Sequence, residues 1–476
     1  MTTRRSFLRQ IAAAPVIYPS LFTSSNVIAA SCNEIVKPNV PGGLRMPAEW
    51  HPHEASWMAY GATVGAWGDS NETSFDRDLS NSRIVARQDL VRLAANLSRF
   101  EKVYLLVHDD RDEAQARHLL EESLAQSSVK DQFSGELDAS GRIYIGPDRK
   151  VSDLPDIGTF EIVFLRASLD DLWTRDTAPV MSMDPRGELY GANLNFNGWG
   201  QWPVSSGLCD WRKDPEKTLA GVIDQPVGND RKVAGFINDY LELPEIETWL
   251  TAEGGGFEVN GEGLGMAMES SIINDNRNPG KSKSEIEAEL RKLFGIEHMI
   301  WMPGLKGKEL TDWHVDFTAR FVSQNKIVAA FDRNFEPADN RNEVALHEAI
   351  DELNSLPANL KKKYLGSRTS SMELHMLPVP DIEQVYESYR ARNLKPLITG
   401  RSMEEFIETT APGYIGYTHA NGAIIMGQFG DTKADLEAFN SVQALYPEHT
   451  IIQITTDGLA SGGGTIHCAT QQQPAV

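Results

Sequence analysis
The chain of 476 residues carries only three cysteines, Cys32, Cys209 and Cys468. An odd, sparse set without CxxC spacing excludes a disulfide framework and a cysteine-based zinc site, so any cysteine chemistry falls to a single thiol. Positive charge is in deficit too: 45 Lys and Arg stand against 67 Asp and Glu, for a formal net charge of −22. That balance disfavours nucleic acid and anionic membrane surfaces and favours cationic partners. No stretch approaches the roughly 20 apolar residues of a membrane span. A phosphate-cradling GxxxxGK motif is missing, and the glycines of AEGGGF (252–257) are not followed by the Lys and Ser or Thr that a nucleotide loop needs. With 41% hydrophobic residues, a chain of this length can still bury a large core.

The beginning differs in kind from the rest. MTTRRSFLRQIAAAPVIYPSLFTSSNVIAAS (1–31) places Arg4 and Arg5 ahead of a modestly apolar run that ends in small residues suited to cleavage. This pattern predicts a twin-arginine signal read by the export machinery, hence a periplasmic or extracellular protein. A basic amphipathic helix is the alternative, but Pro15 and Pro19 would interrupt it. Cys32 raises the option of a lipid anchor, although Ala29–Ser31 lacks the large aliphatic residue expected there. Residues 32–476 are then expected to form one catalytic domain.

Four stretches read as hairpins, APVMSMDPRGELYGANLNF, GGFEVNGEGLGMAMES, ARFVSQNKIVAAFD and YIGYTHANGAIIMGQF, with tips near Arg186, Gly261, Asn325 and Asn421. Their spacing suggests one unit repeated. Helical patterns follow in SKSEIEAELRKLF, NEVALHEAIDELN and TKADLEAFNSVQALYP, each leading toward a short strand in HMIWMPG, HMLPVP and HTIIQIT. The earlier half has its own helix-to-strand run in ARQDLVRLAANLSRFEKVYLLVHDD, followed by EAQARHLLEESLAQ. A cycle of hairpin, helix and strand predicts closure around a pseudosymmetry axis, with equivalent strand ends at the centre.

Four polar clusters occupy equivalent points of that cycle: DDLWTRDTAPV, LTAEGGGFEV, LTDWHVDFTARFV and GGGTIHCATQQQ. Convergence at an axis would assemble their Asp, Glu, His and Cys into one site. His314 and Asp316 are two apart, which on a strand puts both on one face; a structural His beside a solvated Asp is the plain alternative. A metal site is not expected, because no further His or Cys stands near them. Asp176 either pairs with its neighbour Arg175 or, with Asp316, binds a planar guanidinium whose N–H groups form a rigid fork. Trp173 would wall that pocket or simply pack in the core. Cys468 is either a small buried hydrophobe or a thiolate nucleophile, acidified by a His or by the bound cation. Gly463 and Gly464 would let the backbone approach a ligand. Cys209 has no such setting.

Six motifs in order, MPAEWHPHEASWMAYG, LWTRDTAP, NFNGWG, EGGGFEVNGEG, HVD and GGGTIHCATQQQP, span Met46 to Pro474. Together they resemble the agmatine deiminase and bacterial-type peptidylarginine deiminase family. The resemblance implies a five-bladed α/β-propeller of ββαβ units, the pentein fold, with the site at its axis. It implies Cys468 as nucleophile, His314 as general acid and base, Asp176 and Asp316 as guanidinium-binding carboxylates, and a supporting place for Glu253. The implied reaction turns a guanidino group into a ureido group plus ammonia through a Cys thiouronium intermediate, without metal or organic cofactor. This sequence departs from agmatine-type members at Leu310, with Glu309 displaced by one, at Phe317 and at Thr465. The departures at Leu310 and Phe317, together with the export signal, put peptidyl-arginine, giving citrulline, first among expected substrates. Agmatine, giving N-carbamoylputrescine in putrescine biosynthesis, comes second; an amidinotransferase and a non-catalytic binder of cationic ligands are further alternatives.

Overall fold
The short alternating apolar stretches fold as strands that pair in five separate sheets. The computed structural model describes residues 41–67, 74–127, 143–146, 148–200, 226–306, 311–332, 340–399 and 401–476. The expected signal at 1–31, and Cys32, Cys209, Glu309 and Leu310, lie outside the described residues. In chain order the strands are His53–Ala59 (β1), Lys102–Val107 (β2), Ile143–Tyr144 (β3), Ile162–Arg166 (β4), Val180–Met183 (β5), Leu189–Asn193 (β6), Glu245–Glu247 (β7), Phe257–Val259 (β8) and Leu264–Met268 (β9). They continue as His298–Met302 (β10), Ala319–Ser323 (β11), Lys326–Ala329 (β12), Glu373–Met376 (β13), Thr418–Ala420 (β14), Ala423–Gln428 (β15), Thr450–Thr455 (β16) and Gln471–Pro474 (β17).

All four predicted hairpins form, as β5/β6, β8/β9, β11/β12 and β14/β15, each antiparallel. Asn421 and Gly422 make the last tip, where Gly422 takes φ +81°, a left-handed turn value open to glycine without steric cost. The second strand of every hairpin then pairs in parallel with the strand that follows a helical crossover: β6 with β7, β9 with β10, β12 with β13 and β15 with β16. HMLPVP yields less strand than its apolar run suggests. β13 stops at Met376, because Pro378 and Pro380 have no N–H for the ladder.

The crossover Lys283–Phe294 shows how locally these helices are specified. Ser282 Oγ accepts the Glu285 N–H while the Glu285 carboxylate accepts the Ser282 N–H, a reciprocal cap, and Gly295 at φ +68° ends the helix. Ile286, Leu290, Leu293 and Phe294 lie on one buried stripe. Each contributes about 1.5–3 kcal/mol by leaving water.

The fifth sheet joins the two ends of the chain. β17 lies antiparallel to β1, with Trp57 opposite Gln471 and His53 opposite Pro474, and β1 runs parallel to β2. β17 therefore serves as the first strand of a unit whose other strands come from the beginning. β4 extends this sheet beyond β2, and β3 extends the fourth beyond β16. Five ββαβ sheets with this closure are the five-bladed α/β-propeller that the resemblance implies. No helix among the described residues is long and apolar enough to cross a membrane.

Candidate active site
Each of four sheets is entered through a short helical turn just before its first strand: Thr174–Thr177 before β5, Gly254–Gly256 before β8, Val315–Phe317 before β11 and His467–Ala469 before β17. Thr174–Thr177 packs on both Gly254–Gly256 and His467–Ala469, and Gly254–Gly256 packs on Val315–Phe317. The four polar clusters of the sequence thus meet, as their equivalent repeat positions predict.

His314 and Asp316 are not on a strand, contrary to the sequence expectation. His314 is extended, at φ −69° and ψ 146°, and Val315–Phe317 turns at once into a single 3₁₀ turn. The two preceding residues are both left-handed, Asp312 at φ +60° and Trp313 at φ +78°. Such strain at non-glycine residues persists only where the surroundings over-determine it. Here the Asp312 carboxylate accepts from Asn274, Asn276 and Arg277, and its carbonyl accepts from the Ser270 hydroxyl. The pair nevertheless shares one pocket. A methyl group built on Gly255 would lie 2.8 Å from His314 Nδ1, 2.9 Å from Asp316 Oδ2 and 3.2 Å from Asp176 Oδ1.

Asp176 does not pair with Arg175, so that alternative falls. Arg175 turns away to Glu49 at 3.2 Å and to Gln472 Oε1 at 2.8 Å. Asp176 Oδ2 instead accepts the Trp199 indole N–H at 2.8 Å, and Oδ1 accepts the Gly255 N–H at 3.3 Å and lies 3.8 Å from His314 Nδ1. Trp199 gets there through three consecutive left-handed residues, Gly198, Trp199 and Gly200, which gives NFNGWG a structural purpose. Reading the sequence for titratable groups misses Trp199; its only signal is the pair of glycines around it.

Glu253 is fully buried between Arg277 and His314. Arg277 Nε lies 2.9 Å from both carboxylate oxygens, and His314 Nε2 lies 3.3 Å from Oε2. The carboxylate thus holds the ring of His314. Trp173 is buried over the glycine run: a methyl group on Gly464 would come within 2.4 Å of its ring. Gly464 is accordingly a packing position, while Gly463 faces open space at φ +91°. Thr465 Oγ1 lies 3.6 Å from Cys468 Sγ, and Phe317 packs beside Gly413 in the same core region.

Burial and neighbours set the charge states. Burial raises the Asp176 carboxyl to about 6, with Glu253 and Asp316 adding to the rise and His314 and Trp199 opposing it. Burial works against the His314 imidazolium, but Asp176, Glu253 and Asp316 outweigh it and raise the ring to about 9. Burial also opposes ionisation of Glu253 and Asp316, yet Arg277 and His314 pull Glu253 down, and His467, His314 and Arg320 pull Asp316 down. The Cys468 thiol goes the other way from the sequence expectation of an acidified thiolate. Burial, then Asp316 and Asp176, push it well above the ordinary thiol range. In the unliganded site the sulfur therefore keeps its proton.

Glu49, Glu258 and His467 place three potential metal-ligand atoms within 4.8 Å of one another. A guanidinium already lies among them: Arg320 donates from Nε to Glu258 at 2.9 Å and from a terminal nitrogen to Glu49.

The arrangement implies a test. Gly255→Ala would put a methyl group among His314, Asp316 and Asp176, all closer than ordinary van der Waals contact. The expected result is a loss of at least about 100-fold in kcat/KM, since small misplacements cost that much. The thermal midpoint, read by calorimetry, should move far less.

A sequence profile described as Porphyromonas-type peptidyl-arginine deiminase matches residues 45–474. Agmatine deiminase of Pseudomonas aeruginosa strain LESB58 is 26% identical over 434 residues, covering 91% of this chain and 96% of that protein. Agmatine deiminase of Medicago truncatula is 28% identical over 451 residues, covering 91% of this chain and 97% of its own. Among solved structures, agmatine deiminase of Enterococcus faecalis superposes with a TM-score of 0.62 at 20% identity, covering 93% of this chain and 98% of that one. It shares the fold described above.

Proposed function
Since the chain belongs to the Porphyromonas-type peptidyl-arginine deiminase family, we propose that it hydrolyses a guanidino group to a ureido group and ammonia, with agmatine as substrate. What carries this reading is the meeting of Asp176, Glu253, His314, Asp316 and Cys468 in one buried place from the entrances of four different sheets. Two carboxylates clamp a planar cation, and a thiol beside them attacks its carbon.

Cys468 Sγ loses its proton to solvent as the cation binds, while His314 keeps its own, and the thiolate bonds to the guanidinium carbon. His314 gives a proton to the departing nitrogen, the C–N bond breaks and ammonia leaves a thiouronium enzyme. The neutral ring then takes one proton from water as the oxygen bonds to carbon; the C–S bond breaks with its electron pair returning to sulfur, which takes up the remaining hydroxyl proton as the neutral ureido product leaves.

The sequence put peptidyl-arginine ahead of agmatine, and the comparisons favour the reverse order: the relatives that match along nearly their full length are named agmatine deiminases. Burial of every reacting side chain agrees, because a slender free alkylguanidine reaches such a place more readily than an arginine held in a folded protein. Export remains a proposal resting on residues 1–31. One assay addresses both. Ammonia and ureido product are measured with agmatine, free arginine, an arginyl peptide and an added amine acceptor, in separate cell fractions. Turnover of agmatine outside the cytoplasm is expected. Preference for the peptide would restore the first substrate reading, transfer to the amine would make the enzyme an amidinotransferase, and no turnover would leave only a binder. Activity confined to the cytoplasm would remove export.

A further inference from the structure
His467 is adjacent to Cys468 in sequence, and its ring is buried between two carboxylates. It is 1% exposed, and each ring nitrogen meets a carboxylate: Nδ1 lies 2.7 Å from Asp316 Oδ2 and Nε2 lies 2.5 Å from Glu49 Oε1. Glu49 is itself held by Arg175 and Arg320, and Arg320 also holds Glu258. The backbone fixes the ring from the other side, since the His467 N–H donates to Gly416 O at 3.0 Å and its carbonyl accepts from Arg175 Nε at 3.3 Å. His467 is thus tied to elements from several sheets before any ligand arrives.

The consequence falls on Asp316. One of its oxygens, Oδ2, is taken by His467, while the other, Oδ1, is buried without a hydrogen-bond partner. A buried carboxylate oxygen left unpaired is costly, and such exceptions call for a reason. At Asp176, by contrast, both oxygens have partners, Trp199 for Oδ2 and the Gly255 N–H for Oδ1. A carboxylate free to turn about its Cβ–Cγ bond would bring either oxygen to the substrate in a range of directions. Anchoring one oxygen fixes the plane of the other.

We propose that His467 is a positioning residue: it donates from Nδ1 to Asp316 Oδ2, so that Oδ1 is presented to a guanidinium N–H, while its Nε2 N–H donates to Glu49, which holds the ring in place. This is how a group next to the reacting one orients a ligand-binding carboxylate. The inference rests on the deiminase reading given above.

Two substitutions separate the two ring nitrogens. His467→Asn leaves an amide N–H near the place of Nδ1, and His467→Gln leaves one near the place of Nε2. With agmatine, His467→Asn is expected to stay within about tenfold of the unsubstituted enzyme in kcat/KM, while His467→Gln loses about 100-fold, with unfolding midpoints within a few degrees of each other. Equal losses in the two variants, or the larger loss in His467→Asn, would overturn the proposal, because a purely structural ring has no preference for the Asp316 side. Nitrogen-15 NMR of labelled histidine supplies a readout independent of turnover. A hydrogen-bonded Nδ1–H is expected for His467, and an Nδ1 without a proton rejects the inference even if agmatine is consumed. Absence of turnover by the unsubstituted enzyme, with that Nδ1–H present, rejects the deiminase reading instead.

Discussion

Cys468→Ser is expected to lower kcat/KM for agmatine by at least about 10⁴-fold, equivalent to about 5.5 kcal/mol of transition-state stabilisation, while unfolding within a few degrees of the unsubstituted protein. The reason lies in what surrounds the sulfur. Burial, Asp316 and Asp176 all hold the proton on Cys468, so the bound guanidinium is the positive charge that lets it go. A thiol can yield under that influence, and a hydroxyl, which holds its proton far more tightly, cannot. The fold has little stake in the exchange: the side chain is small, and a serine fits within the space that the thiol occupies beside Thr465 Oγ1. Ammonia and ureido product measured together report the loss, and calorimetry reports the fold. Activity within tenfold of the unsubstituted enzyme would end the covalent mechanism.

His314→Gln is expected to reduce kcat by about 10³-fold, the usual worth of a positioned general acid and base, and to change the shape of the pH profile. In the free enzyme His314 keeps its proton up to about 9, and Cys468 keeps its own well above the ordinary thiol range. At neutral pH the pair therefore holds two protons, whereas the productive state, thiolate facing imidazolium, holds one. One proton must leave, so kcat/KM rises about tenfold per pH unit from neutrality and levels near about 9, where the free enzyme has lost it already. Below about 6 Asp176 also takes up a proton, guanidinium binding weakens and the slope steepens. The glutamine variant has no break near about 9. A profile that is flat between about 6 and about 9 in the unsubstituted enzyme would contradict this account.

Much of the molecule is legible in sequence because the relevant interactions are local. Ser282, Glu285 and Gly295 bound a helix within fourteen positions of one another, and the hairpins announce themselves by alternation around turns such as Asn421–Gly422. Repetition carries the reading further, since Asp176, Glu253, Asp316 and Cys468 stand at the same point of successive units and a closed cycle brings such points together. Other partners leave no local trace. Trp199 reaches Asp176 across 23 positions, Arg277 joins Glu253 to Asp312 across 24 and 35, and His467 meets Asp316 across 151 and Glu49 across 418. Their side-chain types are ordinary ones, with nothing in spacing to couple them.

The final residues show where the two kinds of information part. GGGTIHCATQQQP by itself fixes which atom attacks and that glycines, not bulky side chains, lead up to it. It reads as a polar tail, and by local rules Gln471, Gln472 and Gln473 would be in water. The tertiary structure buries all three in β17, with Gln473 accepting from Trp57 and Gln472 from Arg175, because that strand fills the first place in a sheet begun some 400 residues earlier. Closure also decides what no residue type could: that the Cys468 sulfur keeps its proton, that Asp316 has one oxygen anchored and one free, and that His314 is charged at neutral pH. The sequence determines which groups are present and how they recur. Desolvation and through-space charge set their protonation and direction, and both arise only once the ends of the chain have met.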